Sequence, residues 1–150
     1  MGQSLVQNYI HIVFSTKYRK HSIDQTIEKD LHAYLGAICN HLGCHVLKVG
    51  GYTNHIHILC MLSKKIALMT LMQELKAKSS KWVKSKGEDY SHFFWQDGYG
   101  AFSVRPKDVQ VVVNYIAHQK QHHQRKSFKQ EYRVFLKEYN VDYDERYVWD

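Results

Sequence analysis

The order of elements legible in the sequence, β-α-β-β-α-β followed by two helices, predicts an α+β sandwich of the ferredoxin-like kind. Its sheet is antiparallel, and its C-terminal helices follow the last strand. Three observations carry that prediction. Two β-rich runs meet across a short glycine-containing turn near the middle of the chain. A helix with a clear apolar stripe lies on either side of that pair. A β-branched and aromatic run near the start, and another beyond the second helix, complete four strands. At 150 residues the chain has the length of one domain, 1–150, and can bury a core without a disulfide or metal staple.

Residues 8–18, NYIHIVFSTKY, form the first strand by composition. Asp24 is placed to N-cap a helix running to about residue 42, with Ile27, Leu31, Tyr34, Leu35, Ile38 and Leu42 at helical spacing and Gly43 as the stop. Residues 44–62 give a strand, a turn over 50–54 and a second strand from His55. A longer helix spans about 66–84, its inner stripe made of Leu68, Leu71, Met72, Leu75, Ser79, Trp82 and Val83. A polar and aromatic loop over 87–98 leads to a fourth strand at 99–105. Pro106 then opens a third helix, 107–124, at a position where its missing N–H costs little. Residues 128–139 form the last helix, ahead of an acidic tail.

Composition narrows the function classes. With 44% hydrophobic and 23% charged residues the chain is globular and not disordered. No apolar run approaches the roughly 18 residues of a membrane span, and the N-terminus lacks the features of a signal peptide. Cys39, Cys44 and Cys60 are odd in number and lack CxxC spacing, which fits a reduced, cytoplasmic protein. The net charge is +7, and a basic domain of this size has nucleic acid among its expected partners. Between residues 64 and 86 there are seven lysines and one acid, Glu74, while Lys17, Arg19, Lys20 and His21 cluster after the first strand. Such a surface can track phosphates, with Tyr18, Trp82, Phe93, Phe94 and Trp95 available to stack on bases. A merely solvated lysine-rich helix face explains the same run equally well.

Two features carry chemistry. His55-Ile56-His57 places two imidazoles on one face of a strand, with Cα atoms roughly 6.6 Å apart. They can converge on one divalent ion, although a lone HxH is more often a pair of ordinary sheet histidines. On the third helix Tyr115 and Gln119 are four residues apart and share a face. Val109, Val112, Val113 and Ile116 cover the adjoining face, which can dock on the sheet. A tyrosine hydroxyl, with an ordinary pKa of about 10, needs an activated electrophile or a base to act as nucleophile. A divalent metal polarises a phosphodiester and orients its leaving oxygen. Attack by Tyr115 then leaves a covalent phosphotyrosine and a free hydroxyl, and the bond energy is kept for rejoining.

With HIVFSTKYRK, GGYTNHIHIL, LMQELKAKSSKW, FFWQDGYGAFSV, VNYIAHQKQHH and FKQEYRVFLKEYNVDYDERYVW, the chain resembles the small single-tyrosine transposases of insertion sequences. These are histidine-hydrophobe-histidine nucleases and include the REP-associated tyrosine transposases. The resemblance extends over nearly the whole chain. HxH followed some sixty residues later by YxxxQ, with these flanks, is far more specific than HxH alone. The resemblance implies an enzyme that cuts and rejoins single-stranded DNA at element ends marked by imperfect hairpins. It places the metal ligands on His55, His57 and Gln119 and the nucleophile on Tyr115. It implies Mg²⁺ or Mn²⁺, a homodimer in which the tyrosine helix can complete the partner's site in trans, and a nucleoid-associated protein with no membrane contact. Asn54 stands where many relatives carry an acid. Lys17, Arg19, Lys76, Lys78, Lys81 and Arg105 are the candidate DNA-binding residues.

A second reading is a non-catalytic binding module for hairpins or single strands, against which the intact set of His55, His57, Tyr115 and Gln119 speaks. A zinc hydrolase using the histidine pair and a cysteine is more remote, because alternation puts Cys60 on the other strand face.

Overall fold

The structure, a computed structural model, describes residues 2–150. Four antiparallel strands, β1 (Tyr9–Ser15), β2 (Val46–Tyr52), β3 (His55–Met61) and β4 (Gly100–Val104), form one sheet in the order β2-β3-β1-β4. Helices α1 (Gln25–His41) and α2 (Leu68–Lys84) cover one face. The opposite face is covered by α3 (Val109–Ala117), α4 (Gln119–His122) and α5 (Phe128–Glu138). The α+β sandwich is as the element order predicts.

Strand alternation divides the chemistry from the core. Ile10, Ile12 and Phe14 of β1 and Ile56, Ile58 and Cys60 of β3 pack against α1 and α2 in the larger core. The intervening residues, His11 and Val13 on β1 and His55 and His57 on β3, face the other way. The pairing of Val13 with His57 and Ser15 with His55 puts both histidines at the middle of the sheet. Cys60 points away from them, as expected.

Local signals set most element ends. The Asp24 carboxylate accepts from the amides of Thr26 (3.0 Å) and Ile27 (3.3 Å), a cap that contributes about 1 kcal/mol. Ser127 and Gln130 form a reciprocal capping box at the start of α5. Gly50 is required by packing. A Cβ there would stand 2.7 Å from both Cγ2 and the carbonyl oxygen of Ile116, so the bare backbone lets α3 approach β2.

Two differences from the sequence reading bear on the site. The first strand ends at Ser15, and residues 17–19 form a 3₁₀ turn in which Tyr18 and Arg19 both have positive φ. The third helix is not continuous over 107–124. It breaks at His118, whose φ and ψ of −106° and 26° leave the helical region. The His118 Nδ1–H donates to the Asn114 carbonyl at 2.6 Å, so the side chain bonds a carbonyl of the preceding turn as the helix ends. The acidic tail docks back: Arg19 donates to the Trp149 carbonyl at 2.6 Å, and Trp149 packs with Tyr132 of α5.

Candidate metal centre and nucleophile

His55 and His57 are fully buried beneath α3, α4 and α5. The Asn54 amide donates from Nδ2 to the Arg19 carbonyl at 3.5 Å, which turns its Oδ1 towards His55 Nδ1, 2.8 Å away. An amide oxygen only accepts, so His55 carries its hydrogen on Nδ1 and presents a bare Nε2 to the interior of the site. Burial and the neighbouring His57 ring hold His55 well below the usual imidazole range, which keeps it neutral. His57 Nδ1 lies 2.8 Å from Nε2 of His11, a buried imidazole whose pKa burial lowers to about 3.

The broken helix still delivers both of its predicted residues. Gln119, at the first position after the break, places Oε1 3.0 Å from His55 Nε2. Its Nε2 donates towards the Tyr115 carbonyl at 3.5 Å and Oε2 of Glu131 at 3.4 Å, which fixes the amide orientation. Tyr115 turns its hydroxyl inward and donates to Glu131 Oε2. Burial, and then the Glu131 charge, push the Tyr115 phenol above its ordinary value. The Tyr115 ring lies 5.8 Å from that of His57, centroid to centroid.

Glu131 was not among the residues singled out from the sequence. It is 2% exposed, and its Oε1 lies 3.0 Å from His57 Nε2 and 3.6 Å from His55 Nε2. Burial works to raise its pKa, but hydrogen bonds from His123 and His57 outweigh that and leave it a carboxylate. One signal was present. Phe128, Glu131, Tyr132, Phe135 and Leu136 fall on a single helical stripe, so an acid lies within an otherwise apolar face. His11 also belongs to the site through its strand face, and no local pattern in the sequence marks it.

The donor set fits a divalent ion. His55, His57 and Glu131 each offer one atom, all within 4.8 Å of one another. Two donors held at about 2.1 Å and at right angles around one ion stand about 3.0 Å apart, close to the spacings of His55 to Gln119 and of His57 to Glu131. Between His55 Nε2 and Gln119 Oε1 there is no hydrogen at all, since both atoms are acceptors. A buried pair of facing lone pairs is unfavourable unless a cation lies between them.

Residues 4–119 match the family described as "Transposase IS200 like". The chain belongs to the IS200-like transposase family. Two curated relatives, the transposases for insertion sequence element IS200 of Salmonella typhimurium and Salmonella typhi, are each 28% identical over 114 residues, covering 73% of this chain and 74% of theirs. Among solved structures, a Deinococcus radiodurans R1 protein assigned as a transposase superposes with a TM-score of 0.61 at 19% identity, covering 79% of this chain and 96% of that one. A REP-associated tyrosine transposase bound to a REP hairpin gives 0.60 at 13% identity, covering 82% and 73%. At such identities the two structures speak to the fold alone. The span matched by the family contains His55, His57, Tyr115 and Gln119 and ends before His123 and Glu131.

In this IS200-like transposase the predicted DNA-binding residues separate by what already holds them. Lys76 donates to the carbonyls of Gln96, Asp97 and Gly98 at 2.7–2.9 Å and is committed to the loop before β4. Arg19 is similarly engaged by the tail. Lys17 pairs with Asp97 at 3.7 Å and Lys78 with Glu74 at 3.1 Å, both weak surface pairs. Lys81 is exposed. Arg105 pairs with Asp108 at 2.9 Å and lines a cleft of about 630 Å³ that reaches Tyr115 and Glu131 between α3 and α5. Of the aromatics expected to stack on bases, Phe93 and Trp95 are buried and Trp82 stacks on Tyr34. Tyr18 and Phe94 remain exposed, beside Lys17 and Lys84. No helix among the described residues is long and apolar enough to cross a membrane.

Proposed function

We propose that this transposase cleaves and rejoins single-stranded DNA through a covalent bond to Tyr115. The observation that carries the reading is the shared carboxylate: Glu131 accepts from the Tyr115 hydroxyl with one oxygen and lies against His57 Nε2 with the other. The nucleophile is thereby held at the edge of the histidine site and faces the cleft.

His55, His57 and Gln119, with Glu131, would hold the ion, Mg²⁺ or Mn²⁺. When bound there, the ion neutralises and polarises the scissile phosphodiester. The chain's own residues do the rest. Tyr115 Oη forms a bond to phosphorus while the bond to one bridging oxygen breaks, leaving a free hydroxyl on the DNA. The phenol proton passes to its hydrogen-bonded neighbour, Glu131 Oε2, and from there through solvent to the departing oxygen, which becomes that hydroxyl. His11 and Asn54 keep the two histidine rings turned into the site through their outer nitrogens. In the reverse step a DNA hydroxyl attacks the phosphotyrosine, and Tyr115 recovers its proton.

The DNA partner in this reading is a single strand bearing imperfect hairpins at the element ends, consistent with the hairpin bound by the REP-associated relative. Lys17, Lys78, Lys81 and Arg105 would contact its phosphates. Residues 1–150 act as one domain, and two copies pair as a homodimer in which the tyrosine helix can complete the partner's site in trans.

The test is a denaturing gel of the protein with labelled single-stranded DNA from the flanks of its own gene, with and without Mn²⁺. The expected result is a metal-dependent, SDS-resistant protein–DNA band. Binding to the correct end without such a band would favour the binding-module reading instead.

A further inference from the structure

The turn that follows β1 holds a conformation its side chains do not favour. Tyr18 and Arg19 have φ of 58° and 54°, in the left-handed region that bulky residues rarely enter. Several bonds hold the turn there. The Lys17 amide donates to the Phe94 carbonyl at 2.7 Å and the Arg19 amide to the Thr16 carbonyl at 3.0 Å. The Thr16 hydroxyl donates to the Lys20 carbonyl at 2.7 Å, and Asn54 Nδ2 to the Arg19 carbonyl at 3.5 Å. The Tyr18 ring is thereby raised into solvent, 68% exposed, and Phe94, bonded to the same turn, is 54% exposed. Neither ring packs in the core, so the strained backbone answers no packing need. Strain of this kind belongs at ligand clamps.

Tyr18 stands between two hollows and lines both. One, of about 230 Å³, has Tyr18, Tyr90, Phe93 and Phe94 in its walls together with Lys17 and Lys20. Lys84 Nζ lies 4.1 Å from the Phe94 ring centroid and Lys17 Nζ 5.5 Å from that of Tyr18, while Asp89 is the acid in the lining. The other hollow, of about 340 Å³, is lined by Tyr18, Arg19, Asn54, Phe128 and Lys129. The Phe128 ring is 4.7 Å from that of His55, so the second hollow ends against the wall of the metal site. Flat aromatic faces among lysines suit an unpaired nucleobase whose flanking phosphates meet the cations.

We propose that Tyr18 and Phe94 form a binding site for one unpaired nucleobase of the DNA strand, set at a fixed distance from the metal centre. The proposal rests on the single-stranded DNA partner given above and not on the covalent step. The distance is fixed by a chain of hydrogen bonds: Phe94 is bonded to Lys17, and Arg19 to Asn54, whose Oδ1 orients His55. A base seated on Tyr18 therefore sets which phosphodiester of the strand comes to Tyr115. Every base has a π-face, so stacking here selects unpaired DNA and its register and tolerates any sequence.

The deciding measurement is fluorescence-anisotropy binding, in EDTA, of labelled single-stranded oligonucleotides from the flanks of the protein's own gene, intact or with one base removed at each position in turn. For the wild-type protein, one abasic position should weaken binding about fivefold or more. Tyr18→Ala should lose as much on intact DNA and show no further loss at that position, whereas Tyr18→Phe should behave as wild type. An abasic penalty that persists unchanged in Tyr18→Ala would overturn the proposal. Tyr18→Gly separates the ring from the turn, because glycine suits the left-handed backbone. It should melt no lower than wild type and bind as weakly as Tyr18→Ala. A lower melting temperature with wild-type affinity would assign the ring to the fold and overturn the proposal. No binding by the wild-type protein would overturn the DNA reading with it. Base dependence without a covalent adduct in Mn²⁺ would overturn the phosphotyrosine reading alone and support this one.

Discussion

The Tyr115 hydroxyl donates to Oε2 of Glu131, sixteen residues further along the chain, while Oε1 of the same carboxylate lies 3.0 Å from His57 Nε2. One side chain thus ties the nucleophile's helix to the histidine strand, and the two halves of the site are coupled through it.

Tyr115→Phe removes only the hydroxyl. The aromatic contacts with Phe135 and His122 survive, so the fold and DNA binding should be retained while the covalent adduct disappears. Adducts that persist on a denaturing gel would rule out Tyr115 as the nucleophile.

Glu131→Gln keeps the shape and removes the charge. Divalent-metal affinity should fall roughly tenfold or more, read by isothermal titration, because a carboxylate is the only anionic donor in the set. Equal affinity would show that Glu131 serves Tyr115 alone.

Gly50→Ala should destabilise the protein by about 1–3 kcal/mol in urea unfolding, as overpacking does. The new methyl group meets both the side chain and the carbonyl of Ile116. Ile116→Ala should therefore rescue only part of the loss, and complete rescue would refute the backbone clash. The single variant should also lose metal affinity, since α3 leads directly into Gln119.

Lys81→Ala and Lys76→Ala should differ in kind. Losing exposed Lys81 should weaken DNA binding across sequences and reduce the salt slope by about one, without a change in stability. Losing Lys76 frees three loop carbonyls and should lower the melting temperature instead. Identical behaviour of the two variants would remove the distinction.

Stability of the metal-free protein should fall as pH drops below 6.5. Burial holds His32, His11 and His55 below that ordinary value in the folded state, so the unfolded chain binds more protons there. For His11 the loss continues down to about pH 3. His32 lies away from the histidine pair, beside Glu28, Lys48 and Lys120, with a buried Nε2 that has no hydrogen-bond partner among the described residues. His32→Leu should flatten part of the slope in denaturant titrations between pH 7 and 5, and an unchanged slope would count against it.

Local order along the chain determined a good deal. Alternation in NYIHIVFS and HIHILCM dictates which residues share a sheet face, and the Asp24 cap and the stripe from Ile27 to Ile38 place α1. Four-residue spacing sets Tyr115 and Gln119 on one side, a relationship that outlived the break at His118. These are short-range facts of period and sterics, and the sequence states them directly. Tertiary structure decided what the histidine pair meets. Glu131 reaches His57 across seventy-four positions and His11 reaches it across forty-six, through the packing of α5 and β1 around the same strand. No local period encodes such a meeting. It follows from covering the second face of the sheet with helices whose apolar stripe carries one acid, and from a bare backbone at Gly50 that lets α3 come close enough to bring Gln119 to His55.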